Sequence, residues 1–263
     1  MKRSFAPLNR RNKKETGSLL CAGGYKGEDS VKLTTVLFDL DGTLLPMDQE
    51  LFIKAYFGRL AKKLAPHGYE PDKLIKGIYA GIEAMVKNDG SCRNEDAFWK
   101  TFCTLCGEKA VLDKPLFEDF YKNEFQQVKE SCGFAPEAAP LVKKLKDRGL
   151  RVVLATNPLF PAVATESRIR WAGLAPSDFE WVTTYENSSF CKPNPAYYEE
   201  ILDKLGLEAG ECVMIGNDVQ EDGTAAGLGM RVFILTNCLI DRKGKHEFPC
   251  GGFEELEAFI AGL

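Results

Sequence analysis

The 263 residues are 44% hydrophobic and 27% charged, an ordinary balance for a soluble globular chain long enough to bury a core without disulfides or structural metals. No stretch approaches the roughly 18 apolar residues that span a bilayer, and nine cysteines scattered from Cys21 to Cys250 suit a reducing cytoplasm better than a secreted disulfide scaffold. The net charge of −4 is uneven: the first 14 residues hold six bases and no acid, and removing those six from 34 leaves 28 bases against 38 acids, a body too acidic for nucleic-acid binding.

Residues 1–30 lack sustained periodicity and read as a mobile basic tail or a start-site artefact. Leu19-Leu20-Cys21-Ala22 is too short for the apolar core of a secretory signal. Val31–Leu40 is β-branched and apolar, which predicts a buried strand. From Pro46 to about Cys132 the apolar residues fall at helical spacing, first at Leu51, Phe52, Ala55 and Tyr56 and last at Phe117, Phe120, Tyr121, Phe125 and Val128. Four or so helices follow, with Asp48, Asp72 and Asn94 as N-caps.

From Pro136 the texture alternates. Helices are expected over Glu137–Arg148, Pro161–Ala172, Asn194–Leu205, Gln220–Ala226 and Glu254–Ala261. Strands are expected over Arg151–Thr156, Trp181–Thr184, Cys212–Ile215 and Val232–Leu235. Apolar strands alternating with helices imply an α/β fold, a doubly wound parallel sheet covered on both faces. The division expected is a sheet core over 31–46 and 133–263, interrupted by a helical insert over 47–132.

In such sheets, sites form at the carboxyl ends of the strands, and four strand ends carry unusual chemistry. In Asp39-Leu40-Asp41-Gly42-Thr43 the two acids share one side of the chain, about 6–7 Å apart. Their repulsion calls for a cation between them, and Gly42 permits a sharp turn away. Thr156 and the Asn157 amide lead from a strand into a helix and can cradle an anion. Lys192 is set by Pro193 just before a helix start, and Gly216-Asn217-Asp218-Val219-Gln220-Glu221-Asp222 offers oxygen ligands suited to Mg²⁺. Each of the last three is ambiguous alone; the ordered set is not.

The set resembles the haloacid dehalogenase (HAD) superfamily in its phosphatase branch, with a Rossmann-like core and a first-position α-helical cap domain, as in phosphoglycolate phosphatases. The match runs from about residue 33 to 263: Asp39-x-Asp41-x-Thr43 fits the first family motif, Thr156 the second, Lys192 the third and Gly216–Asp222 the fourth. The resemblance implies a Mg²⁺-dependent hydrolysis of a small phosphorylated metabolite through an aspartyl-phosphate. Asp39 would be the nucleophile and Asp41 the acid and base. Thr43, Thr156, Asn157 and Lys192 would hold the phosphoryl oxygens. Asp39, the Asp41 carbonyl and the fourth motif would hold the metal. Asn217 departs from the Gly-Asp common there. Asp218 is the favoured ligand, Asn217 the alternative, and Asp222 orients Lys192 or a metal-bound water.

The second acid separates this chain from dehalogenases proper, which resemble it but need no proton donor. Two alternatives stay open: a phosphotransferase or mutase acting on a sugar phosphate, and a catalytically silent ligand-binding relative. Cys103 and Cys106, three apart among aromatics, read as core and not as zinc ligands. His67 and His246 stand in unrelated settings. The expectation is a cytoplasmic monomer with no nucleic-acid or membrane partner.

Overall fold

The structure, a computed structural model, describes residues 32–263. The expected basic tail over 1–30 lies outside them. Six strands form one parallel sheet in the order β3-β2-β1-β4-β5-β6: β1 Thr35–Phe38, β2 Arg151–Leu154, β3 Trp181–Val182, β4 Cys212–Gly216, β5 Arg231–Leu235 and β6 Cys250–Gly251. All four residues of β1 are buried, as a strand covered on both faces must be. Alternation along the strands feeds two separate cores. Val36, Phe38, Val213 and Ile215 face one, with α6 (Ala138–Asp147), α7 (Ala162–Trp171) and α9 (Phe253–Ala261). Leu37, Cys212 and Met214 face the other, with α8 (Pro195–Leu205). This is the doubly wound α/β arrangement the sequence implied.

Between β1 and β2 lie α1 (Gln49–Leu64), α2 (Pro71–Val86), α3 (Asn94–Cys106), α4 (Lys109–Leu112) and α5 (Lys114–Lys122), then a 3-10 stretch over Glu124–Ser131. Asp48 caps α1, accepting from the N–H groups of Glu50 and Leu51 at 3.0 and 3.1 Å. The other two expected caps are corrected. Asp72 lies inside the first turn of α2, because Pro71 suits that turn and moves the start back to Glu70. Asn94 is the first residue of α3, and its buried side chain donates to the Phe190 carbonyl at 3.2 Å. The last expected helix breaks at Asn123, whose Nδ2 bonds back to the carbonyl and Oδ1 of Asp119.

Two further corrections concern the sheet half. The helix expected over Gln220–Ala226 is a 3-10 turn over Asp222–Leu228. The two-residue β6, too short to leave a periodic signal, was not expected. Among the described residues no helix is long and apolar enough to cross a membrane.

Candidate active site

Register brings the motifs level. Phe38 of β1 stands opposite Leu154 of β2 and Ile215 of β4, and the ladder runs one residue further through Asp39 N–H to Ile215 O at 2.8 Å and Ala155 N–H to Phe38 O at 2.7 Å. Three chain segments therefore leave the sheet side by side. This is the point where strand order reverses, with β2 and β4 flanking β1, and there a crevice opens.

Asp39 sits at its floor, 7% exposed. Lys192 donates to Asp39 Oδ1 at 2.9 Å and to Asp222 Oδ1 at 2.6 Å. Asp222 accepts the Asp218 N–H on its other oxygen at 2.9 Å. The Thr43 hydroxyl lies 3.3 Å from Asp39 Oδ2 and 3.1 Å from Asn217 Oδ1. Asp39, Thr43, Lys192, Asn217 and Asp222 thus form one connected network. Gly42 adopts a φ of +87°, and a Cβ there would come within 2.3 Å of Asn217 Nδ2.

Asp41, Thr156, Asn157 and Asp218 line the same cavity. One oxygen of Asp41 is bound by the Arg168 guanidinium, while Oδ1 is buried with no hydrogen-bond partner among the described residues. The Thr156 carbonyl is fixed by the hydroxyls of Thr183 and Tyr197 at 2.6 and 2.8 Å. Asn157 donates to Glu221 Oε2 at 3.0 Å. Asp218 differs from Asn217 in being heavily engaged. Its Oδ1 accepts the N–H groups of Gln220 and Glu221, both at 3.0 Å, and its two oxygens take both ends of the Arg242 guanidinium at 2.8 and 2.7 Å.

Burial sets the electrostatics. It pushes the Asp39 carboxyl upward; the Lys192 cation opposes this and Asp41 adds to it. Asp41 is likewise raised by burial, against the pull of Arg168 and Lys192. Burial alone would lower Lys192, but the Asp222 and Asp39 carboxylates outweigh it, so the ammonium stays charged well above its ordinary range. Glu221 is raised to about 7, again chiefly by burial.

Arg168 and Arg242 were not expected at the site, and Glu221, though within the fourth motif, was given no role of its own. Arg168 and Arg242 lie in segments with no motif. Only the placement of Arg168 on the inward face of α7, beside Ala164 and Ile169, could have flagged it. Among the described residues no three His, Cys, Asp or Glu side chains converge as a metal site. A cation at Asp39 would draw on carbonyl or amide oxygens as well.

A model of the haloacid dehalogenase-like hydrolase family matches residues 33–228. The chain is 25% identical over 197 residues to pyrophosphatase PpaX of Bacillus pumilus, spanning 74% of this chain and 80% of that one. It is 25% identical over 224 residues to glyceraldehyde 3-phosphate phosphatase of Methanothermobacter thermautotrophicus, spanning 81% and 90%. Among solved structures, 2-haloacid dehalogenase from Pseudomonas syringae pv. Tomato superposes with a TM-score of 0.58 at 19% identity, over 88% of this chain and 99% of that one. That last likeness is one of fold.

Proposed function

Since the chain belongs to the haloacid dehalogenase-like hydrolases, we propose that it is a phosphatase that cleaves a small phosphate monoester, with Asp39 as nucleophile and Asp41 as the proton carrier. The observation that carries this reading is the pairing of an Asp39 clamped by Lys192 with an Asp41 whose Oδ1 is buried and unbonded beside the same cavity.

Asp39 Oδ1 is tied to the Lys192 ammonium at 2.9 Å, while Oδ2 meets the Thr43 hydroxyl at a longer 3.3 Å, so we take Oδ2 as the freer oxygen for attack. It forms a bond to phosphorus as the ester P–O bond breaks, and protonated Asp41 gives its proton to the departing alkoxide. The carboxylate of Asp41 then takes a proton from the water that attacks the aspartyl-phosphate, which frees Asp39 and orthophosphate. Lys192, Thr156 and the Asn157 backbone hold the phosphoryl oxygens as charge spreads over them.

The site suits Mg²⁺. Five carboxyl groups (Asp39, Asp41, Asp218, Glu221, Asp222) stand around three cations (Arg168, Lys192, Arg242), and each cation already holds a carboxylate before a phosphate dianion enters. The donors around Asp39 are oxygens, as this hard ion requires. Asp39, the Asp41 carbonyl and an oxygen of the fourth motif would hold it. Asn217 Oδ1 is better placed for this than Asp218, because it meets only the Thr43 hydroxyl while Asp218 is held by Arg242. When bound, the ion supplies positive charge that lets anion meet anion.

We read residues 47–132 as a cap over this crevice. The chain enters and leaves the block at one place: Met47 pairs with Cys132, and Gly133 N–H donates to Pro46 O at 2.7 Å. Side chains of α1 and α2 roof the cavity.

The test is orthophosphate release from a panel of phosphorylated metabolites with Mg²⁺ and no added acceptor. Activity should vanish with EDTA, return with Mg²⁺, and be absent in Asp39→Asn. Turnover that survives Asp39→Asn would overturn the mechanism, and phosphate appearing only when an acceptor is added would mark a transferase.

A further inference from the structure

The cavity above Asp39 has a volume of about 330 Å³, more than a phosphoryl group fills. Its far side is built from Phe52, Phe57, Tyr79, Ile82, Leu159 and Phe160. Tyr56 also lines it, but the hydroxyl is committed to Tyr121 at 2.8 Å. At the rim Ile53 is 40% exposed and Tyr79 45%, so the apolar surface continues to the mouth.

The charges are arranged the other way. Arg242 is the one cation among the described residues that line this cavity, and it is bound to Asp218 through both ends of its guanidinium. Lys192 and Arg168 do not line it: they sit at the phosphoryl end, on Asp39 with Asp222 and on Asp41, and not on the apolar side. A second anionic group on the ester would therefore meet aromatic rings on one side and carboxylates on the other. Among the lining residues, the Gln49, Asn157 and Asn217 amides and the already paired Arg242 are what could replace its water, none of them an unpaired cation.

Resting on the phosphatase reading, we propose that the leaving group is an uncharged apolar alcohol, aliphatic or aromatic. An ester bearing a carboxylate or a second phosphate is disfavoured. Phe52, Phe57 and Tyr79 determine this preference by the area they cover. The phosphoryl end is fixed by the floor, so selectivity grows with the length of the group laid against the roof.

The experiment is an n-alkyl phosphate series from methyl to hexyl with the wild-type protein and Mg²⁺. Basicity of the leaving alkoxide changes little along it, so kcat/KM reads burial and not bond cleavage. The expected rise is up to about fourfold per methylene until the cavity is filled. 2-Phenylethyl phosphate should exceed 2-phosphoglycolate and 3-phosphoglycerate by at least roughly tenfold. Tyr79→Lys, at a half-exposed position that tolerates the change, should lower kcat/KM for butyl phosphate and raise it for 2-phosphoglycolate. A flat or falling series with good turnover of the acidic esters overturns the substrate class and leaves the phosphatase reading standing. Phosphate release from no ester above the Asp39→Asn background overturns both.

Discussion

The Arg168 guanidinium reaches Asp41 from a fully buried position on α7, while its Nη2 bonds Thr165 Oγ1 at 3.2 Å and its face lies 4.4 Å from the Phe160 ring. Those contacts fix the fork, and the fork holds one oxygen of Asp41 and leaves Oδ1 without a hydrogen-bond partner among the described residues. Arg168→Met keeps the bulk and removes the hold. Because Asp41 is 24% exposed, its loss of a partner should cost roughly 2–3 kcal/mol, below the ~3–5 of a fully buried pair. The kinetic signature is sharper. An alkyl ester needs its leaving oxygen protonated, so kcat/KM for methyl phosphate should fall about 10²-fold. For p-nitrophenyl phosphate, whose leaving group needs no proton, the fall should stay under about tenfold. Equal losses on both esters would show that Arg168 only supports the fold. Glu221 offers a second test, this one of stability. A carboxyl raised to about 7 makes the folded state the better proton binder, so its contribution is full at low pH and is lost as pH rises through about 7. Glu221→Gln keeps an acceptor for Asn157 and deletes the titration. The variant should gain melting temperature over wild type above pH 7, with the gap closing near pH 4. A gap that does not change with pH would mean that Glu221 is not buried as the fold places it.

At the end of β4 the constraint is room and not conformation. A Cβ on Gly216 would lie 1.9 Å from Asp222 Oδ2 and 2.1 Å from its Cγ, and Asp222 is pinned by Lys192 and the Asp218 N–H. Gly216→Ala should push Asp222 aside, cost about 1–3 kcal/mol as overpacking, and release Lys192 from one of its two anchors. Phosphate release should drop at least roughly tenfold while urea unfolding stays cooperative; a fully active variant would show that Asp222 does not need its place. The elements that build this site were legible for a physical reason. Buried parallel strands are apolar runs, so each ends visibly where Asp39, Thr156 or Gly216 begins the polar stretch. Other elements were not. Phe117, Phe120 and Tyr121 before Asn123, and Phe125 and Val128 after it, are each too short a run to tell a 3.6-residue period from a 3-10 one, so the break at Asn123 is invisible to spacing. Phe125, just past that break, packs 5.0 Å from Trp171 of α7, joining the helical block to the core. Arg168 was missed because a base on a helix is normally a solvated one, and only the fold turns that face inward.

For the whole molecule, the helical block and the sheet meet along more than the double crossing at Met47 and Cys132. Arg93 binds Glu200 at 2.9 Å and Ser189 at 3.0 Å, Trp99 donates to the Tyr185 hydroxyl at 3.3 Å, and Gln126 donates to Ser167 at 2.9 Å. The sequence marks out the helical block but not which residues it presents to the cavity, because a rotation of α1 by one residue turns its face by about 100°. Contact between roof and floor couples site occupancy to global stability. Only the folded chain brings Asp39, Asn217 and Lys192 together across more than 150 positions of sequence. A ligand held by that set therefore stabilises the fold by mass action, about 2.7 kcal/mol at a hundredfold excess over Kd. Because each cation of the site already holds a carboxylate, orthophosphate alone should bind poorly and Mg²⁺ alone modestly. Together each supplies the charge the other lacks, so the melting temperature should rise more with both than the two separate shifts combined. Asp39→Asn removes a charge that repels Asp41 and also one of the two carboxylate partners of buried Lys192, so its ligand-free melting temperature is its own baseline, and from that baseline it should lose the joint shift. If Mg²⁺ and phosphate act independently, or if Asp39→Asn keeps the joint shift, the cation does not bind between the acids and the incoming anion.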